Sequence, residues 1–192
     1  MPARARYGHF HWIAPFYDRL VAGLDSKALF THLAMEPGMR LLDLGGGTGR
    51  VSAGLGISAA IVLVADPAPG MLRQARAKGL TAVRAQAEAL PFATASFDRV
   101  LVVDAFHHFA DQPLAAAEMV RVLKPEGRLL VAEPDLRRWP VKGIALAEKL
   151  LLMQSHFYAP EALVSLFTVV GGRLLTIVRN GFSAYVVLTK QS

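Results

Sequence analysis

Five short apolar runs, separated by helix-like segments, constrain this chain more than any other feature. They are RLLDL (40–44), AIVLVA (60–65), LTAVRA (80–85), FDRVLVV (97–103) and GRLLVAE (127–133). Each is nearly continuous in Val, Leu, Ile and Ala, the pattern of a strand covered on both faces. TGRVSAGLG (48–56), APGMLRQARAK (68–78) and QPLAAAEMVRVLK (112–124) read as helices between them. Pro113 stands near the start of the third helix and Lys124-Pro125 at its end, both positions that suit proline. The stretch 85–96 is too short for a long helix and reads as a loop with one turn. Strand–helix alternation predicts a doubly wound parallel sheet with helices on both faces. The tail differs: GGRLLTIVR (171–179) and GFSAYVVLTK (181–190) meet at Asn180-Gly181, a hairpin signal. The expectation is therefore a Rossmann-like seven-stranded sheet, mostly parallel, with an antiparallel last strand. At 192 residues it forms one domain, residues 1–24 being an N-terminal helical cap and 25–192 the α/β core.

The first run ends in DLGGGTGRV (43–51). Glycine loses more backbone freedom on folding than any other residue, so a cluster of four needs a reason. In open α/β sheets ligands bind beyond the carboxyl ends of the strands, where strand order reverses. Gly45, Gly47 and Gly49 allow a tight turn there and let a ligand lie against the backbone. The dinucleotide fingerprint G-x-G-x-x-G, begun at Gly45, needs a small residue where Arg50 stands, and that side chain obstructs close helix–strand packing. The spacing that fits is D-x-G-x-G-x-G, Asp43 to Gly49. Asp66 ends the second run, where a carboxylate can accept from ribose hydroxyls. Pro67 restricts its backbone. A competing role for Asp66 is to cap the helix over 69–77.

Composition narrows the chemistry. There is no cysteine, which removes disulfides, thiolate metal sites and a cysteine nucleophile, and suits a reducing cytoplasm. The segment MPARARYGHFHW lacks the apolar core of a signal peptide, and no apolar run reaches the ~18 residues of a membrane span. A soluble or at most peripheral cytoplasmic protein is expected. The net charge is +6, but the basic residues are scattered, without the stripe and interleaved aromatics of nucleic-acid binders.

Three further stretches carry a resemblance. AQAEALPFATASFDRV (85–100) is similar to the G-D-A-E-x-L-P-F-x-x-x-S-F-D signature of class I S-adenosylmethionine-dependent methyltransferases. MVRVLKPEGRLLVAEPD (119–135) resembles the helix, turn and fifth strand of that family. WIAPFYDRL (12–20) resembles the A-x-x-Y-D segment of its ubiquinone/menaquinone-biosynthesis branch. The resemblance implies S-adenosyl-L-methionine as cofactor, with S-adenosyl-L-homocysteine as product. It also implies roles by position. Gly45, Gly47 and Gly49, with Gly46, approach the methionine moiety, and Asp43 serves its ammonium end. Asp66 takes the ribose hydroxyls, and Pro67 and Met71 pack near the adenine. Ala87 meets the adenine edge by its backbone, Glu88 belongs to the same set, and Tyr17 closes over the methionine end. Gln86 stands where the family usually has Asp, and still accepts from the adenine amine through its carbonyl.

Methyl transfer from a sulfonium needs alignment and exclusion of water, with no metal and no covalent nucleophile. An acceptor that carries an acidic proton needs a base. VVDAFHHFAD (102–111) offers Asp104, His107 and His108 at the ligand edge. His107 is the preferred base, neutral near pH 7, with one of the pair expected to pack or cap. For Asp104 the resemblance implies another part, service to the cofactor through its backbone. His156 and Tyr158 either wall the acceptor pocket or serve their loop. PVKGIALAEKLLLM (140–153) reads as a helix covering the sheet, with an apolar acceptor wall or an anionic-lipid contact as the lesser reading. The leading expectation is in-line methylation of a small hydrophobic molecule. A non-catalytic nucleotide-binding module, a nicotinamide oxidoreductase and a nucleic-acid methyltransferase are the alternatives.

Overall fold

The computed structural model describes residues 26–54, 62–135 and 156–191. The expected cap, Tyr17 and the 140–153 helix lie outside them. The strands are β1 (Leu41–Leu44), β2 (Val62–Asp66), β3 (Thr81–Arg84), β4 (Phe97–Val103), β5 (Leu123–Pro134), β6 (Gly172–Asn180) and β7 (Ser183–Lys190). Among the described residues the helices are α1 (Ser26–Leu33), α2 (Arg50–Ala53), α3 (Pro69–Ala77), α4 (Gln112–Val122) and α5 (Pro160–Val169), with a 3₁₀ turn at Phe106–His108. The strands form one seven-stranded sheet in the order β3-β2-β1-β4-β5-β7-β6. β1 pairs in parallel with both β2 and β4, and β7 runs antiparallel to both β5 and β6. The chain winds outward from β1 through β2 and β3, then returns to the other side of β1 as β4. The reversal of strand order thus falls between β1 and β4, where their carboxyl ends leave a crevice.

Alternate residues of each strand serve opposite faces. Leu42, Val100, Val102, Leu129 and Val131 pack with Phe106, Met119 and Phe167 on the α4/α5 side. Leu41, Leu101, Leu130 and Tyr185 pack with Leu29, Leu33 and Leu72 on the α1/α3 side. This two-sided burial is why the inner strands read as unbroken apolar runs. Buried Arg99 closes the end of α1, donating from Nε to the Leu33 carbonyl at 2.5 Å and from Nη2 to the Ala34 carbonyl at 2.8 Å. These are carbonyls that a helix end leaves unpaired.

Two boundaries differ from the sequence reading. The third helix stops at Val122, and β5 begins at once with Leu123, which pairs with Phe97. Pro125 disfavours helical backbone at Lys124, and Glu126 turns left-handed (φ 58°) before pairing resumes at Arg128. In the hairpin, Asn180 is still paired, with Ser183, so the two-residue loop is Gly181-Phe182. Gly181 takes φ 59°, which places the glycine at the first central position, as a type II′ turn requires. The 85–96 stretch is a loop, as expected, with a short Gln86–Ala89 bridge.

Candidate active site

The crevice at the β1/β4 switch point is a cleft open to solvent, at the place where open α/β sheets bind ligands. Its floor is the loop 45–48. Gly45, Gly47 and Gly49 all take positive φ (70°, 56° and 67°). A side chain at Gly49 would meet Leu80 at 2.2 Å, so glycine is needed there for packing against the end of α3. At Gly47 a Cβ would find only the Met71 sulfur, at 3.8 Å, so glycine is needed there for backbone conformation, and open space remains above it.

Two buried carboxylates brace this loop. Asp66 Oδ2 accepts the Gly47 N–H at 3.1 Å, and Oδ1 accepts the Ala68 N–H at 2.7 Å. Asp66 therefore ties the end of β2 to the glycine turn and also orders the entry to α3, whose N-cap is Ala68. Asp43 lies beneath the loop, accepts from Ser52 Oγ at 2.6 Å, and would collide with any side chain at Gly46. Burial pushes the Asp66 carboxyl up to about 6, against the downward pull of the Ala68 and Gly47 N–H groups, and the Asp43 charge adds to the rise. Burial likewise raises Asp43 to about 6, opposed by the Ser52 hydroxyl and the Arg50 charge.

The far wall is the loop after β4. Asp104 sits on the cleft in left-handed backbone (φ 49°), its N–H held by the Ala132 carbonyl at 2.9 Å. Such a conformation costs a non-glycine residue of order 1–3 kcal/mol and persists only when its surroundings enforce it. Glu133, at the end of β5, does much of the enforcing. Its Oε1 accepts the N–H groups of Ala105 and Phe106 at 3.0 and 2.9 Å, and its Oε2 meets His107 Nδ1 at 2.5 Å. Behind the loop, the His107 ring stacks on Phe157 at 4.3 Å, and the His156 N–H donates to the His107 carbonyl. Glu88 grips the next turn, accepting from the Ala110 and Asp111 N–H groups.

Of the residues singled out in the sequence, the cleft is lined by Asp43, Gly45, Gly46, Gly47, Asp66, Met71, Asp104 and His108. Gly49, Pro67, Gln86, Ala87, Glu88 and His107 do not line it. Gly49 packs beneath it, and Glu88 acts on the loop at 110–111. His107, the residue preferred as base, is buried against Glu133, whereas His108 faces the cleft. Glu133 was missed because nothing local marks a strand-end glutamate as the anchor of a loop almost thirty residues away. Arg50, read as an obstruction, lines the cleft, as do Val103, Ala105 and Phe109.

Residues 42–131 match the family described as Methyltransferase domain (Methyltransf_11). This stretch, a little under half of the chain, is thus similar to a methyltransferase domain. The demethylmenaquinone methyltransferase of Thermus thermophilus is 42% identical over 139 residues, covering 65% of this chain and 63% of that protein. That of Corynebacterium kroppenstedtii is 34% identical over 135 residues, 69% of this chain and 59% of the relative. The ubiquinone/menaquinone biosynthesis C-methyltransferase UbiE of Shewanella halifaxensis is 35% identical over 145 residues, 66% of this chain and 57% of the relative. The matched segments thus span 57–63% of the length of these relatives. Among solved structures, a possible histamine N-methyltransferase of Thermotoga maritima superposes with a TM-score of 0.79 at 23% identity, over 96% of this chain and all of that one. A putative methyltransferase of Haloferax volcanii, solved with the Trm112 activator, gives 0.79 at 18%, over 95% of this chain and 98% of that one. At these identities the likeness is one of fold. Among the described residues no cluster of metal-ligating side chains is found. No described helix is long and apolar enough to cross a membrane.

Proposed function

We propose that this protein transfers a methyl group from S-adenosyl-L-methionine to a small apolar acceptor of the quinone type. The observation that carries the reading is the tie between Asp66 and Gly47, which floors a cleft at the β1/β4 switch point with left-handed glycine backbone. The residues present fit the cofactor. Gly47 leaves open space above its Cα, and Asp66 keeps a second lone pair on each oxygen for sugar hydroxyls. When bound, the cofactor supplies an activated methyl group on a sulfonium. The protein's part is to hold the nucleoside end with Asp66 and Met71, seat the amino-acid end on loop 45–48, and shape an apolar wall with Val103 and Phe109. Orienting two reactants in this way can lower a barrier by roughly 7–11 kcal/mol. His108, at the cleft wall, is placed to take a proton from an acidic acceptor, while His107 holds the loop from behind through Glu133. The quinone class is supported by the likeness to demethylmenaquinone and ubiquinone/menaquinone methyltransferases and by the apolar wall.

Thermal melting with S-adenosylhomocysteine tests the cofactor. Saturation at ~100-fold over Kd stabilises by about 2.7 kcal/mol, so a rise of several degrees in Tm is expected, and an unmoved Tm would overturn the reading. Incubation with methyl-labelled cofactor and lipid extract, followed by mass spectrometry, tests the acceptor: label should enter a quinone-type molecule, and label found only in polar metabolites would refute that class.

A further inference from the structure

Among the described residues, one buried side-chain polar atom lacks a hydrogen-bond partner: Nε of Arg50. It belongs to a residue that lines the cleft, two positions after the floor loop ends at Thr48. Buried polar groups are almost always paired, and one that is not calls for an explanation. The neighbouring carboxylates do not supply it. Asp43 is near enough to be stabilised by the Arg50 charge, yet its Oδ2 accepts from Ser52 Oγ and neither of its oxygens bonds Arg50 Nε. Asp66 is turned to the N–H groups of Gly47 and Ala68. Arg50 therefore brings to the cleft lining a cation with donor capacity unspent.

A guanidinium is planar and presents its donors as a fork that matches a carboxylate. At neutral pH S-adenosylmethionine carries a sulfonium, an ammonium and one carboxylate, so a cationic side chain in its site has a single group to pair with. We propose that Arg50 binds the carboxylate of the cofactor's amino-acid tail, and so selects for ligands that carry it. This rests on the cofactor reading above and extends it to one side chain. It also sets polarity along the cleft: the tail carboxylate lies toward Arg50, and the sugar lies toward Asp66. The feature that argued against a dinucleotide in the sequence becomes a specificity device for an amino-acid-bearing nucleoside.

The test is isothermal titration of wild type, Arg50→Gln and Arg50→Lys with three ligands. These are S-adenosylhomocysteine, its decarboxylated analogue S-adenosyl-3-thiopropylamine, and 5′-methylthioadenosine, with the ligand-free Tm of each protein measured alongside. Wild type should prefer S-adenosylhomocysteine to the decarboxylated analogue by ~10–100-fold, the size of a charge-assisted pair. Arg50→Gln should narrow that gap to about threefold or less while leaving the Kd of the two carboxylate-free ligands within about twofold. Arg50→Lys, lacking the fork, should keep only part of the gap. A gap that persists in Arg50→Gln, or an equal loss for all three ligands with a lowered ligand-free Tm, would overturn the assignment and leave the cofactor reading standing. Wild type that binds none of the three, or binds NADH instead, would overturn both.

Discussion

Asp66 Oδ2 accepts the backbone N–H of Gly47 across nineteen positions of sequence, and so fastens the end of β2 to the turn that follows β1. One carboxylate thereby shapes the loop and faces the cleft. Asp66→Ala removes the acceptor for the Gly47 and Ala68 N–H groups together. The expected result is a loss of about 2–4 kcal/mol of stability, from two deprived buried donors. Binding of S-adenosylhomocysteine should weaken at least tenfold. Urea denaturation and titration calorimetry measure the two effects. Unchanged affinity in a folded variant would take Asp66 out of the binding site.

Gly47 and Gly49 share left-handed backbone but differ in surroundings, and alanine should separate them. Gly49→Ala adds a collision with Leu80 to the backbone cost, about 2–4 kcal/mol together. Gly47→Ala bears the backbone cost alone, about 1–2 kcal/mol, but sets a methyl group beside the cleft near Met71. Denaturation midpoints should fall further for Gly49→Ala. Ligand affinity, measured on whatever remains folded, should fall further for Gly47→Ala. The opposite order would show that the loop's geometry has been misassigned.

The buried carboxyls make stability depend on pH in an unusual direction. Free in the unfolded chain, Asp43 loses its proton near 3.8; in the fold it holds it to about 6. Between these values the folded state binds more protons, so the contribution of Asp43 falls as pH rises from about 4 to 6 and levels off above that. The size is on the order of 2–3 kcal/mol. Asp66 behaves alike, and the two are coupled. Asp43→Asn keeps an acceptor for Ser52 and removes the titration. Urea unfolding at pH 4.5 and 7 should show the variant gaining stability over wild type as pH rises; parallel curves would mean that Asp43 ionises normally.

Glu133 gathers three donors from the loop after β4. Glu133→Ala leaves the Ala105 and Phe106 N–H groups buried without acceptors, an expected loss of about 2–4 kcal/mol. Glu133→Gln retains one carbonyl oxygen and should lose less. Hydrogen exchange at residues 104–108 should accelerate in both, more in the alanine variant, because the left-handed turn at Asp104 depends on this anchor. Exchange rates equal to wild type would place the loop's support elsewhere.

What sequence alone settled was local. Strand runs, glycine spacing and an aspartate closing β2 follow from burial on two faces and from backbone sterics, both of which act within a few residues. The doubly wound sheet and the placing of the glycine loop at its ligand edge followed from strand–helix alternation, whereas the strand order came from the assembled sheet. The hairpin was also legible, although its loop begins one residue later than the Asn-Gly pair indicated. What tertiary structure alone decided was which neighbours share work. His107 and His108 are adjacent and chemically identical. Only the arrival of Glu133 and Phe157 from distant segments buries the first and leaves the second on the cleft. Arg50 changed meaning for the same reason: its environment is made by loops that meet only when the sheet is assembled. Side-chain identity is written in order along the chain, but burial, pairing and charge environment depend on contacts between segments far apart in that order.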